Sequence, residues 1–144
     1  MRIYNLCDVG LNTSSSEGFG LVSFEHAATG AAQVVPGFGN TAELWAGAAE
    51  LLPAAVTLSH RCQRSRVEER LIDPASVAAA LQRLYEDPEH RWRMALAAHR
   101  RATDPALDPA RLGARWRALF ANALRGAKAA EPLSRLQLGD ARPL

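Results

Sequence analysis

Residues 8–36 read DVGLNTSSSEGFGLVSFEHAATGAAQVVP, and the fold turns on how they divide. Asp8-Val9-Gly10-Leu11-Asn12 has the length and apolar content of a short buried strand, and it ends in a polar Thr13-Ser14-Ser15-Ser16 turn. From Phe19 to Thr29 the period changes. Leu21, Phe24 and Ala28 recur at helical spacing, and Gly30 stands where a left-handed residue closes a helix. Ser14 and Glu17 fit the S-x-x-E capping pattern ahead of it. Gln33-Val34-Val35 predicts a second strand. Strand, loop, helix and strand in close succession are the parts of a parallel βαβ unit.

The pattern repeats outward from this unit. Pro36-Gly37-Phe38-Gly39 stops the second strand, a short helix is expected from Thr41 to Ala46, and Glu50-Leu51-Leu52 suggests a third strand. Beyond Pro53 the expected structure is helical. Asp73 is a good N-cap for a helix opening at Pro74 with Val77, Leu81, Leu84 and Tyr85 on one stripe. Asp87-Pro88 and Asp108-Pro109 open two more, bearing Trp92, Leu96 and His99, then Leu112, Trp116, Leu119, Phe120 and Leu124 up to Gly126. These stripes, tryptophans included, read as core-facing. From Ala127 to Leu144 the period fades into an expected loose tail.

The expected architecture is therefore α/β: a partial Rossmann-like parallel sheet with C-terminal helices over residues 1–126, and a tail over 127–144. Two or three strands, the first close to Met1, are few for a parallel sheet, which normally has helices on both faces and several strands to bury. One side of the sheet would lack neighbours, so the expectation is a domain cut short at its N-terminus.

Net charge is +2, too small by itself to argue for nucleic acid or an anionic membrane. Arginines cluster at Arg61, Arg64 and Arg66 and again at Arg91, Arg93, Arg100 and Arg101, which reads as solvated faces. Cys7 and Cys62 make no disulfide framework, and His60 beside Cys62 has no second pair to complete a zinc site. No signal peptide and no membrane-spanning run are evident, and a cytoplasmic location with reduced thiols is expected.

The chemistry concentrates in Ser16-Glu17-Gly18-Phe19-Gly20-Leu21-Val22-Ser23-Phe24-Glu25. On one ideal helix, Glu17 and Glu25 would stand about 12 Å apart along the axis and differ by about 80° in azimuth. That is too far for the paired carboxyls of a glycoside hydrolase, which sit within about 10 Å of each other. Between the acids lie the free N–H groups of a helix start, with Gly18 and Gly20 permitting close approach to the backbone. Such a tip favours phosphate. An acid on either side suits a ligand with hydroxyls at both ends and a diphosphate between them, as in a nucleotide sugar. The plainer alternative is that Glu17 caps and Glu25 is an exposed helix acid. The G-x-G present is not the full dinucleotide fingerprint.

Tyr4-Asn5, Cys7-Asp8-Val9, Thr13-Ser14, Glu17-Gly18-Phe19-Gly20-Leu21, Glu25, Ala27-Ala28, Gly30, Val34-Val35-Pro36 and Glu43-Leu44 together resemble the C-terminal domain of retaining GT-B glycosyltransferases. The resemblance is to glycosyltransferase family 4 (glycosyl transferases group 1), whose two glutamates separated by seven residues match Glu17 and Glu25. It extends through Tyr85-Glu86-Asp87-Pro88 and covers roughly residues 3 to 120, with its specific motifs in the first 45. It implies that Glu17 holds hydroxyls of the donor hexose beside the reacting carbon. The backbone of Gly18, Phe19, Gly20 and Leu21 would meet sugar and diphosphate, and Glu25 the ribose hydroxyls. Gly39-Asn40-Thr41 would line the same cleft, with His26 outside it.

The chain departs from the family in lacking the Arg and Lys that neutralise the donor diphosphate, and Arg2 lies too close to the first strand to replace them. The acceptor-binding N-terminal domain has no counterpart either, so the partners implied are a nucleotide-sugar donor and that missing domain or a complementing chain. No metal, cofactor or nucleic acid is implied. Two alternatives remain: a non-catalytic nucleotide-sugar-binding module that completes its sheet with another chain, and a structural fragment that has kept no ligand.

Overall fold

All five residues of Ala32–Pro36 are buried, a pattern that only a strand covered on both faces produces. In the computed structural model, which describes residues 3–62 and 65–127, this segment is the central strand β2 of a three-stranded sheet. β1 (Val9–Leu11) and β3 (Glu50–Leu52) run parallel on either side, in the order β1-β2-β3. Val9 pairs with Ala32 and Leu11 with Val34, while Val34 stands opposite Glu50 and Pro36 opposite Leu52. Helix α1 (Leu21–Ala28) joins β1 to β2 and α2 (Gly39–Trp45) joins β2 to β3. The α/β class and the parallel sheet agree with the sequence, as does the left-handed Gly30 with φ 92° after α1.

Side chains of β2 alternate between two apolar layers. Val35 enters one with Ala27, Trp45, Ala48 and Ala98. Ala32 and Val34 enter the other with Leu52, Ala80 and Leu84. Helices α3 (Pro74–Glu86) and α4 (Pro88–Ala102) supply the second layer, and α4 also reaches the first through Ala98. Both helices begin as their sequences require, with Asp73 Oδ1 accepting from the Ala75 N–H and Asp87 Oδ1 from the His90 N–H. One polar clamp, half-exposed at Arg83, reinforces this layer. Arg83 of α3 donates to Glu50 at 2.7 Å, and His90 of α4 pairs with it at 2.6 Å. Burial raises the Glu50 pKa, but the bonds from Arg83 and His90 outweigh it and hold the carboxyl below its ordinary range.

Residues 54–72 correct the expectation that the chain turns helical after Pro53. They form an antiparallel hairpin of β4 (Ala54–Cys62) and β5 (Ser65–Ile72), with Val56 opposite Leu71, Leu58 opposite Glu69 and His60 opposite Val67. The sheet count is therefore three parallel strands plus two in a separate ribbon. Cross-strand partners stabilise the ribbon even though Val56, Leu58 and Leu71 remain about half exposed.

The chain separates into two compact units, Met1–Asp104 and Pro105–Leu144. In the second, a 3-10 turn at Pro105–Leu107 precedes α5 (Pro109–Ala127), whose start is capped by Asp108 Oδ1 accepting from the Ala110 N–H. Arg2, Arg64 and the expected tail beyond Ala127 lie outside the described residues.

Candidate functional site

The loop between β1 and α1 is built by its own polar side chains. The Asn12 N–H donates to the Val34 carbonyl at 2.9 Å, which pins the loop to the end of β2. Asn12 Oδ1 then accepts from the Ser14 N–H at 2.8 Å, and its Nδ2 donates to Glu17 Oε2 at 3.4 Å. This Asx-type turn replaces the capping box expected of Ser14 and Glu17. Ser14 lies too far ahead of the helix to cap it. The N-cap is Gly20, at φ 80° and ψ 52°, without any side-chain cap bond. A left-handed residue there lets the chain turn sharply into α1, and a Cβ at this position would meet Glu17 Cγ at 3.4 Å.

Glu17 thus precedes the helix and faces a cleft of about 230 Å³. Ser14, Ser15 and Ser16 line it from the first loop, Pro36 and Phe38 to Thr41 from the second, and Glu68 and Arg70 from the hairpin. The cleft lies beyond the carboxyl ends of β1 and β2, where open α/β sheets bind their ligands. The two loops are tied together by Asn40 Nδ2, which donates to the Gly18 carbonyl at 2.7 Å. Thr41 Oγ1 donates to the Phe38 carbonyl at 2.7 Å and fixes the second loop from within.

Arg70 was not singled out from the sequence. Its guanidinium lies 5.6 Å from the Phe38 ring centroid and 3.9 Å from Glu68, so it is held over the cleft by an aromatic face and a carboxylate. The signal for it is the alternation in Arg66-Val67-Glu68-Glu69-Arg70-Leu71, which puts Glu68 and Arg70 on one face of a strand.

The remaining sequence-derived residues divide. Gly18 and Phe19 are exposed, as are Leu21 and Val22 in the first turn of α1, whereas the N-cap Gly20 between them is buried. Phe19 leans on Phe24, ring centroids 5.0 Å apart. Glu25 is half-buried one turn further along the helix and is not among the residues lining the cleft. Its Oε2 accepts from the Tyr4 hydroxyl at 3.2 Å. Partial burial and this carboxylate both push the Tyr4 phenol above its ordinary value. Tyr4 in turn stacks on His26, whose ring Nε2 donates to the Cys7 carbonyl at 3.1 Å. His26 is buried and serves to hold the segment before β1 against α1.

A second cavity, of about 390 Å³, opens beside Tyr4, Cys7, Asp8, Arg91 and Trp92. It is larger, but Asp8 and Ala31 place it before the amino ends of β1 and β2, the end of such a sheet that ligands do not use. Among the described residues no group of three or more His, Cys, Asp or Glu side chains is placed to hold a metal ion. None of the helices described is long and apolar enough to cross a membrane. No family model matches this chain, and no curated protein matches it.

Proposed function

We propose that this chain is the donor-binding part of a retaining glycosyltransferase and that its cleft takes a nucleoside-diphosphate sugar. The observation that carries the reading is the set of groups around the opening beyond β1 and β2. Glu17, three serines and Asn40 offer acceptors and donors suited to sugar hydroxyls, with Arg70 at the rim to face a diphosphate. The backbone of Gly18, Phe19, Gly20 and Leu21 then lies along the donor towards the start of α1. Glu25 takes the ribose hydroxyls. It already accepts a hydroxyl, that of Tyr4, which has the chemistry a ribose would present.

In this reading the bond between the anomeric carbon and the diphosphate oxygen breaks, a bond from an acceptor oxygen forms on the same face of the sugar, and the acceptor's proton passes to the departing diphosphate oxygen. Glu17, beside the anomeric end, orients the hexose through its hydroxyls. Arg70 offsets charge on the departing diphosphate. A single guanidinium is less than a diphosphate dianion requires. A further cation-bearing domain, or another chain, would complete the transfer site.

The second reading is a binding module without catalysis of its own, which completes its sheet with a partner. It is favoured by β1, whose outer edge pairs with nothing among the described residues. Calorimetry with UDP-, GDP- and ADP-linked hexoses tests both readings. Binding that is lost in both Glu17→Ala and Glu25→Ala supports donor recognition, and sugar release by the isolated chain separates enzyme from module. A folded chain that binds none of them refutes both.

A further inference from the structure

Helix α5 combines an apolar face with a remainder whose only charged residues are basic. Between Pro109 and Ala127 it carries Arg111, Arg115, Arg117 and Arg125 and no acidic residue. The near-neutral charge of the whole chain conceals this, because the compensating acids lie elsewhere in the sequence. At about 100° per residue, Leu112, Trp116, Leu119, Phe120 and Leu124 fall within an arc of about 140°, and all four arginines project from the rest of the circumference. Trp116, Leu119, Phe120 and Leu124 are each more than half exposed. Trp116 and Phe120 stack at 5.5 Å between ring centroids and form an aromatic platform in the middle of the face.

An apolar arc of this size is unfavourable in water and calls for a cover. Charge decides which cover fits. A second copy of the helix would bring four more arginines against the first four, with no carboxylate on either to answer them. An anionic lipid surface answers them all: the rings and leucines enter the boundary between headgroups and acyl chains, while arginines flanking the arc reach lipid phosphates. Tryptophan at the centre suits that boundary, where one edge of the indole is apolar and the other wet. With four arginines over 19 residues the helix is not apolar enough to span a bilayer.

We propose that α5 is an interfacial membrane anchor that docks its Trp116–Phe120 face on a bilayer rich in anionic phospholipid. The proposal is independent of what the cleft binds. It is tested by co-sedimentation of the full chain with vesicles of phosphatidylcholine alone and with vesicles of equal parts phosphatidylcholine and phosphatidylglycerol. The chain should partition at least roughly ten-fold more strongly onto the anionic vesicles, and less so as salt is raised. Replacing Arg115→Gln together with Arg117→Gln should weaken partitioning on the order of 25-fold, at roughly five-fold for each arginine. Trp116→Ala with Phe120→Ala should abolish it while leaving the thermal melt of the chain unchanged, since both rings are exposed. If that pair lowers the melt, the arginine pair supplies the independent measurement. The proposal is overturned if the folded chain stays in solution with anionic vesicles, binds neutral ones equally, or keeps its partitioning in both double variants. A vesicle-free dimer that the Trp116→Ala/Phe120→Ala chain cannot form would assign the face to a second copy and would equally overturn it.

Discussion

Replacing Arg70 by methionine separates the charge of this residue from its bulk. The methionine keeps a flexible stem over the Phe38 ring and removes the guanidinium that lies 5.6 Å from it. Little stability should be lost. The ion pair with Glu68 spans 3.9 Å between side chains that are 39% and 53% exposed, and such pairs contribute about 0–1 kcal/mol. The contact with Phe38 adds about 0.5–1 kcal/mol at a site this open. Against a diphosphate, the same guanidinium forms charge-assisted hydrogen bonds, each worth about 1.5–3 kcal/mol, which is roughly a 10- to 150-fold change in Kd. Calorimetry should therefore show Arg70→Met binding a nucleoside-diphosphate hexose some 10- to 150-fold more weakly, while the weak affinity for the neutral nucleoside stays the same. Equal losses for both ligands would mean that the substitution deforms the cleft. Unchanged affinity for the diphosphate would remove Arg70 from the site and refute the placement of the donor.

Glu68 shares the rim with Arg70 and opposes an anion, so Glu68→Gln should tighten diphosphate binding a few-fold in the same titration. The Glu50 clamp should shape acid stability. Its folded pKa is depressed, so its contribution is complete above the unfolded value of about 4.3 and is lost as pH falls through the lower folded value. Denaturant melts should show Glu50→Gln weaker by roughly 1–2 kcal/mol at neutral pH, with the gap closing in that acid window. A gap independent of pH would contradict the clamp. Gly10→Ala would place a Cβ 2.6 Å from His26 Nδ1 and 2.8 Å from Gln33 Nε2, inside a filled layer, and should cost about 1–3 kcal/mol in the same assay. Leu84→Ala, at a fully buried position between α3 and β2, should cost about 2–5 kcal/mol.

The parallel sheet was legible because burial on both faces leaves a local mark: Val34-Val35 and Leu51-Leu52 are apolar runs broken by Pro and Gly. Caps at Asp73, Asp87 and Asp108 were legible for the same reason, since each acts on amides two or three residues ahead. The hairpin left a weaker mark. Its few apolar residues alternate with Thr57 and Ser59 in one strand and with charges in the other, Val56, Leu58 and Leu71 stay about half in solvent, and Gln63-Arg64 between the strands has none of the Asn or Gly that flags a tight turn. The false capping box has a different origin. Ser14 and Glu17 have the right spacing, but Asn12 captures the Ser14 amide and a left-handed Gly20 starts the helix, so the match was to a loop. Glu17 was identifiable locally. Arg70 was not, because the alternation around it marks a strand face without saying that pairing with β4 carries that face to the cleft. The face of α5 was visible as periodicity and was read as core. Periodicity reports which side is apolar, without saying what covers it.

The proposed donor site takes one ligand from the Glu17 cleft, along the start of α1, to Glu25. Titrating an isotope-labelled chain with a nucleoside-diphosphate hexose and following backbone amide shifts tests this directly. Shifts are expected at Glu17 to Leu21, Glu25, Asn40, Thr41 and Arg70, saturating together with one Kd. Shifts confined to the opposite cavity around Asp8, Arg91 and Trp92, or no shifts from a folded chain, would contradict that placement.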